Sequence, residues 1–213
     1  MNKIKLGFVG CGFNGQIGFI QNFYKNKSCK ISGIAEARIK LLKKVSKKFK
    51  VKNQYTSHSD LIKNINKFDA IVIVAKRNMM PAIAYDFLKF KKPLLTEKPV
   101  ASTFEQTKKL LRLARKMKTP YKIGYNKTYD QGIEKGKLIF DKLIKEKTFG
   151  NLIYIKSHRL SGSGYDPKNL YIRTNEKNFL KKPCWSSKPK WLPKKYIKSY
   201  SKYLNLYCHN INL

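Results

Sequence analysis

The amino-acid sequence predicts a doubly wound parallel α/β sheet over residues 1–124 and a second, α+β domain over residues 125–213. Three observations carry this. Apolar runs of strand length alternate with segments of helical period as far as Gly124, and a glycine-rich turn joins the first run to the first helix. The run DAIVIVA at 69–75 is almost continuously apolar and β-branched, as in strands buried on both faces of a parallel sheet.

Residues 4–9 (IKLGFV) read as the first strand and lead at once into Gly10-Cys11-Gly12-Phe13-Asn14-Gly15. Residues 16–24 follow, with Ile17, Ile20 and Phe23 at helical spacing. Residues 29–36 form a second apolar segment, and the helix after it repeats Leu41, Val45 and Phe49 every four residues while turning Lys43, Lys44, Lys47 and Lys48 to solvent. After the strand at 69–75, residues 81–90 supply a helix and 94–96 a short strand. Ser102, with Glu105 three residues later, reads as a capping box for a helix reaching about Lys118. A strand at 121–123 closes the series. Beyond Gly124 come a helix around 130–146, an alternating strand at 152–158, and a polar stretch at 161–199 that holds both tryptophans.

At 213 residues the chain is long enough for a substantial core, and with 42% hydrophobic and 13% aromatic residues it is too apolar for a disordered basic tail. The net charge of +35 comes from 41 Lys but only 6 Arg, scattered from Lys3 to Lys202. A nucleic-acid surface favours Arg and gathers its charge on one face. The excess therefore reads as A/T-rich codon usage acting on tolerant surface positions, and no nucleic-acid partner is expected. The longest unbroken apolar run, Ala70 to Ala75, is far short of the ~20 residues that span a bilayer, so no membrane partner is expected either. Residues 1–13 lack the small-residue cleavage site of a signal peptide. Cys11, Cys29, Cys184 and Cys208 form no CxxC pair and no metal-ligand spacing, which points to a reduced, cytoplasmic setting without a metal site.

Gly10, Gly12 and Gly15 make GxGxxG in the strand-turn-helix context that the motif requires. The first glycine permits the tight turn, the second lets backbone approach a pyrophosphate, and the third allows close helix-strand packing, with helix N–H groups facing the anion. Glu36 lies 21 positions after Gly15 at the end of the second strand, where a carboxylate accepts hydrogen bonds from an adenosine ribose. These features make the predicted sheet Rossmann-type. Glu36 would repel a 2′-phosphate and favours NAD modestly, whereas Arg38 could serve NADP.

Thr96-Glu97-Lys98-Pro99-Val100-Ala101 is the next landmark. Here the chain resembles the Gfo/Idh/MocA family, the oxidoreductases related to glucose-fructose oxidoreductase and inositol 2-dehydrogenase, whose hallmark is an EKP tripeptide after the fifth strand. The resemblance runs through GFVGCGFNG at 7–15, DAIVIVA, EKPVA at 97–101, GYNKTYD at 124–130, FGNLIYIKSHR at 149–159 and YCHNINL at 207–213. It implies an NAD(P)-dependent enzyme that moves a hydride between nicotinamide and a sugar, polyol or related cyclic alcohol. Cofactor contacts are implied for Gly10, Gly12, Phe13, Asn14, Gly15 and Glu36, and further along for Arg38, Ala75, Asn78, Glu97 and Lys98. Lys98 would polarise the substrate oxygen and His209 would exchange its proton, with Asn126 and Asn205 as further substrate contacts. Asn205, His209 and Asn212 form a polar stripe apart from the apolar face of Tyr200, Tyr203, Leu204, Tyr207 and Ile211.

Several positions depart from the family pattern. Asn205 stands where an aspartate often precedes the histidine, and the later acidic position is Asn212. Lys76-Arg77 replaces a frequent Thr-Pro, the histidine common around 79–81 is absent, and Thr128 stands where arginine is frequent. Family members usually continue for roughly a hundred residues more and pair through a completed sheet. The resemblance therefore implies a truncated form with an incomplete second domain, and a homo-oligomer for the full-length protein. Two other readings are open: a nucleotide-binding module without turnover, and, from the charge alone, a basic nucleic-acid-binding protein.

Overall fold

The computed structural model describes residues 2–147, 149–154, 156, 169–177 and 184–208. Six strands build its sheet: β1 Ile4–Val9, β2 Cys29–Ala35, β3 Asn53–Tyr55, β4 Ala70–Ile73, β5 Leu94–Thr96 and β6 Tyr121–Ile123. All pair in parallel, in the order β3-β2-β1-β4-β5-β6. The pleat sends successive side chains of one apolar run to opposite faces. Leu6 and Phe8 of β1 and Val72 of β4 join Ile20, Leu41, Val45 and Phe49 on one side. Val9, Ile71 and Ile73 join Phe68, Ile83, Phe87 and Leu110 on the other. Phe8, Phe68 and Phe87 are completely buried, each contributing on the order of 2–3 kcal/mol relative to exposure.

The helices follow the same logic. A π-helical turn, Gly15–Ile20, runs into α1 (Gln21–Lys25), and α2 (Ile39–Lys48) buries Leu41, Leu42 and Val45. The short α3 (His58–Ile62) is capped by the Ser57 side chain, and α4 (Met80–Leu88) is apolar almost all round and correspondingly buried. The capping box of α5 (Phe104–Lys116) is shifted by one residue from the predicted Ser102 and Glu105. Thr103 is the N-cap and accepts from the Gln106 amide, while the Gln106 side chain accepts from the Ser102 amide at 3.1 Å. Glutamine serves the third helical position as well as glutamate.

Helices α2 and α5 end alike. The amides of Lys50 and Val51 return to Lys47 and Ser46, and those of Lys118 and Thr119 return to Arg115 and Ala114. This is the Schellman pattern, with lysine at the left-handed position that glycine usually takes. Lys50 and Lys118, together with Lys91 beyond α4 and Lys147 beyond the helix Gln131–Glu146, have φ between 51° and 54°.

The described residues of Met1–Gly124 and Pro167–Leu192 form one compact unit. Residues 169–177 and 184–192, expected with the rest of 125–213 in the second domain, instead belong to the sheet unit. The second unit contains α6 (Gln131–Glu146), whose N-cap Asp130 accepts from the Gly132 and Ile133 amides, and α7 (Ile197–Lys202), continued by a π-helical turn at Tyr203–Tyr207. Leu152, Ile153 and Tyr154, expected in a strand, are exposed and form none; 155, 157 and 158 lie outside the described residues.

Candidate functional site

The chain leaves β1 toward β2 on one side, and β4 lies on the other, so a crevice opens beyond the carboxyl ends of β1 and β4 where the strand order reverses. A cleft of about 860 Å³ occupies this place. Its walls are the segments that follow the strands: Gly10, Gly12, Phe13, Asn14 and Gly15 after β1, Glu36 and Arg38 after β2, Thr56 to Ser59 after β3, Ala75 after β4, and Glu97 after β5.

Gly10 has φ +91°, and a β-carbon on it would stand 2.1 Å from the Val74 carbonyl oxygen. One on Gly15 would stand 2.6 Å from the Gly10 carbonyl oxygen. Both neighbours are backbone and cannot yield, so this turn admits only glycine at the two positions. The Gln16 amide donates to the Gly12 carbonyl at 2.9 Å and starts the helical ladder. The amides of Phe13, Asn14 and Gly15 precede that bond, so the helix itself offers them no acceptor.

Glu36 is buried, at 7% exposure, and its carboxylate collects four nitrogen donors besides the Cys11 thiol, whose Sγ lies 3.8 Å from Oε2. Oε2 accepts from the Cys11 amide at 3.1 Å and Arg38 Nη2 at 3.0 Å; Oε1 accepts from the Arg38 amide at 3.2 Å and Arg38 Nε at 2.9 Å. Burial by itself would raise the midpoint of this carboxyl, but the hydrogen bonds and charge of Arg38 and the two amides outweigh it and hold the group below its ordinary value. Burial and the charge of Glu36 push the neighbouring Cys11 thiol well up, which keeps it protonated. Arg38, free to meet a phosphate in the sequence reading, is here in a forked pair with Glu36.

Glu97 extends the sheet by donating its amide to the Ile73 carbonyl at 3.1 Å. Burial pushes its carboxyl up to about 7, against the opposing charge of Lys98. Lys98 is half-buried one residue on, before a cis peptide bond to Pro99, and is not part of the cleft wall. Neither is Asn78, whose carbonyl accepts from the Trp185 amide at 2.8 Å. Asn126 and Asn205 belong to the second unit and are exposed there. His209 lies outside the described residues.

The residues that sequence reasoning missed come mostly from the returning segment. Gln16 is completely buried. Its side chain donates to the Cys11 carbonyl at 2.8 Å and the Ile172 carbonyl at 3.0 Å and accepts from the Ile172 amide at 2.9 Å, so the glycine turn and a residue 156 positions away share one side chain. Tyr171 meets the edge of Phe13 at 5.0 Å between centroids, and Arg173 lies over Tyr171. Glu176 accepts from the Lys40 and Leu41 amides at 2.8 and 2.9 Å, and with Lys177 lines the cleft. No local signal reveals such pairings. Among the described residues no group of three or more His, Cys, Asp or Glu could hold a metal, and no helix is long and apolar enough to cross a membrane.

Comparison with known proteins agrees with this geometry. Residues 4–125 match the Gfo/Idh/MocA model, described as an oxidoreductase family with an NAD-binding Rossmann fold. An uncharacterised oxidoreductase, YrbE, of Bacillus subtilis (strain 168) is 23% identical over 179 residues, covering 84% of this chain and 50% of the relative. Two Lactobacillus casei crystal structures share the fold. One is scyllo-inositol dehydrogenase with bound NAD(H) and scyllo-inositol, with TM-score 0.62, 20% identity, and coverage of 70% of this chain and 43% of that one. The other is myo-inositol dehydrogenase in complex with NAD(H) and myo-inositol, with TM-score 0.63, 22% identity, and coverage of 67% and 42%. The chain thus spans half or less of the length of these relatives. With the family's N-terminal model matched over more than half of its residues, this chain belongs to the Gfo/Idh/MocA oxidoreductase family.

Proposed function

We propose that the protein binds NAD in preference to NADP and serves as an oxidoreductase that moves a hydride between nicotinamide and a sugar, polyol or related cyclic alcohol. The observation that supports this most is the convergence of the glycine turn, Glu36 and Glu97 on one cleft at the reversal of strand order. The site fits a dinucleotide: amides at Phe13, Asn14 and Gly15 suit a pyrophosphate, and the Glu36 carboxylate suits ribose hydroxyls. Bound there, the nicotinamide ring supplies hydride acceptance and donation.

The chain's own contribution is placement and charge. Lys98 donates a hydrogen bond to the substrate oxygen and stabilises negative charge as the alcohol becomes a carbonyl. His209 takes the hydroxyl proton, a task suited to an imidazole whose ordinary midpoint is ~6.5. Asn205 and Asn126 orient the substrate hydroxyls.

Titration with NADH, followed by its fluorescence, tests the reading. Saturable binding is expected, with NADH formation when NAD is supplied with an inositol or sugar. Lys98→Ala and His209→Ala should each lower turnover and spare NADH affinity; equal loss of NADH affinity in both refutes the roles assigned. Absence of NADH binding refutes the reading as a whole. Because the chain spans half the length of its relative, binding without turnover of any polyol would assign it instead as a cofactor-binding module.

A further inference from the structure

The first turn of α2 begins three residues after Glu36, with Arg38 as a cap whose own side chain makes no capping bond. The Leu42 amide opens the helical ladder by donating to the Arg38 carbonyl at 2.8 Å. The preceding amides of Lys40 and Leu41, which the helix cannot satisfy, donate instead to the two oxygens of Glu176, 136 and 135 residues away. The Thr174 hydroxyl donates to Oε2 of the same carboxylate at 3.0 Å. The segment that carries it is anchored by the paired bonds between Gln16 and Ile172 and by the Gln21 side chain on the Leu170 carbonyl. An intramolecular anion therefore occupies the positive end of α2, beside the carboxylate at the end of β2.

The two nicotinamide dinucleotides differ only at the adenosine 2′ position, a hydroxyl in one and a phosphate in the other. A carboxylate at the end of the second strand meets that hydroxyl. A phosphate in its place would seek the amides at the start of the following helix and a nearby arginine. Here the amides are held by Glu176 and the Arg38 guanidinium by Glu36. We propose that Glu176 is a cofactor-specificity residue, an anion built into the place of the 2′-phosphate that turns the cleft toward NAD. This deepens the NAD-dependent reading and rests on it. Without the Glu176 charge, the amides at the start of α2 and Lys177 in the cleft wall remain to draw a phosphate toward the helix end.

The test compares NADH and NADPH affinities of the whole chain and its Glu176→Gln variant by fluorescence titration. Glutamine keeps the size and one acceptor oxygen while removing the charge. The wild type should prefer NADH, and Glu176→Gln should raise NADPH affinity about tenfold or more, with NADH affinity moved far less and the gain shrinking as salt rises. Glu176→Lys should move the NADPH-to-NADH ratio further in the same direction, which loosening of the segment alone would not do. A ratio unmoved in both variants, or a wild type that prefers NADPH, overturns the role of Glu176 while NADH binding still stands. A wild type that binds neither dinucleotide overturns the NAD-dependent reading and the role of Glu176 with it.

Discussion

Replacing Glu97 by glutamine should stabilise this protein above neutrality and change little near pH 4.5. The carboxyl binds its proton with a midpoint near 7 in the folded chain, against 4.5 as its ordinary value, because burial disfavours the charged form more than Lys98 favours it. A proton held more tightly by the folded state means that stability falls as pH rises from 4.5 to about 7 and levels off above, where both states are ionised. At ~1.4 kcal/mol per pH unit, the ionised carboxylate costs the fold about 3 kcal/mol, a large part of a typical total of about 5–15 kcal/mol. Among the described groups with a displaced midpoint, no other acts in this window. Glu36 and Asp60 have lowered midpoints and lose their contribution only in more acidic solution, and the raised thiols of Cys11 and Cys29 act above 9. Glutamine has the shape of the protonated acid and no charge to desolvate. Urea unfolding followed by circular dichroism at a series of pH values should therefore show wild-type stability declining from acid to neutral pH, and the variant nearly level. Parallel pH dependences for the two proteins would refute the reasoning.

Two further substitutions test the architecture of the cleft. Gly10→Ala places a methyl group against the Val74 carbonyl and forces a left-handed φ on an L-residue, so urea unfolding should show a loss of about 2 kcal/mol or more. Gln16→Ala leaves the Cys11 carbonyl and both backbone groups of Ile172 without their partner; a loss of about 2–3 kcal/mol and faster proteolysis within residues 169–177 are expected, and unchanged protection there would count against the anchoring role.

How much of this was legible in the sequence depended on whether a feature is local. Strands β1, β2, β4 and β5 announced themselves because a strand covered on both faces is largely apolar at successive positions, as in Ala70–Ile73, whereas the edge strand β6, with exposed Lys122 at its centre, was legible only from its place in the alternating series. Strand β3, with Asn53, Gln54 and Tyr55 at the sheet edge, has no such signature, and neither its pairing with β2 nor α3 behind it was foreseen. The glycine turn was readable because steric demands at Gly10 and Gly15 restrict residue type within six positions. The opposite wall was not. Gln16 looks like any polar residue on a helix, and Glu176 like one carboxylate in an irregular stretch; their partners are set by chain return across more than a hundred residues. The exchange of Ser102 for Thr103 at the α5 cap is of another kind, since neighbouring residues with equal capping chemistry leave the choice to packing.

The four left-handed lysines show how the fold tolerates its own composition. An L-residue in that conformation costs about 1 kcal/mol relative to glycine, so lysine at Lys50, Lys91, Lys118 and Lys147 looks expensive. Each, however, is exposed at the carboxyl end of a helix, where the aligned peptide dipoles leave a partial negative charge and a cation gains ~0.3–1 kcal/mol. Strain and field nearly cancel. A mutational drift toward lysine thus meets little thermodynamic resistance at helix ends, provided that the side chain points to water, and the surplus charge of +35 has accumulated in part where the backbone's own electrostatics offset its steric cost.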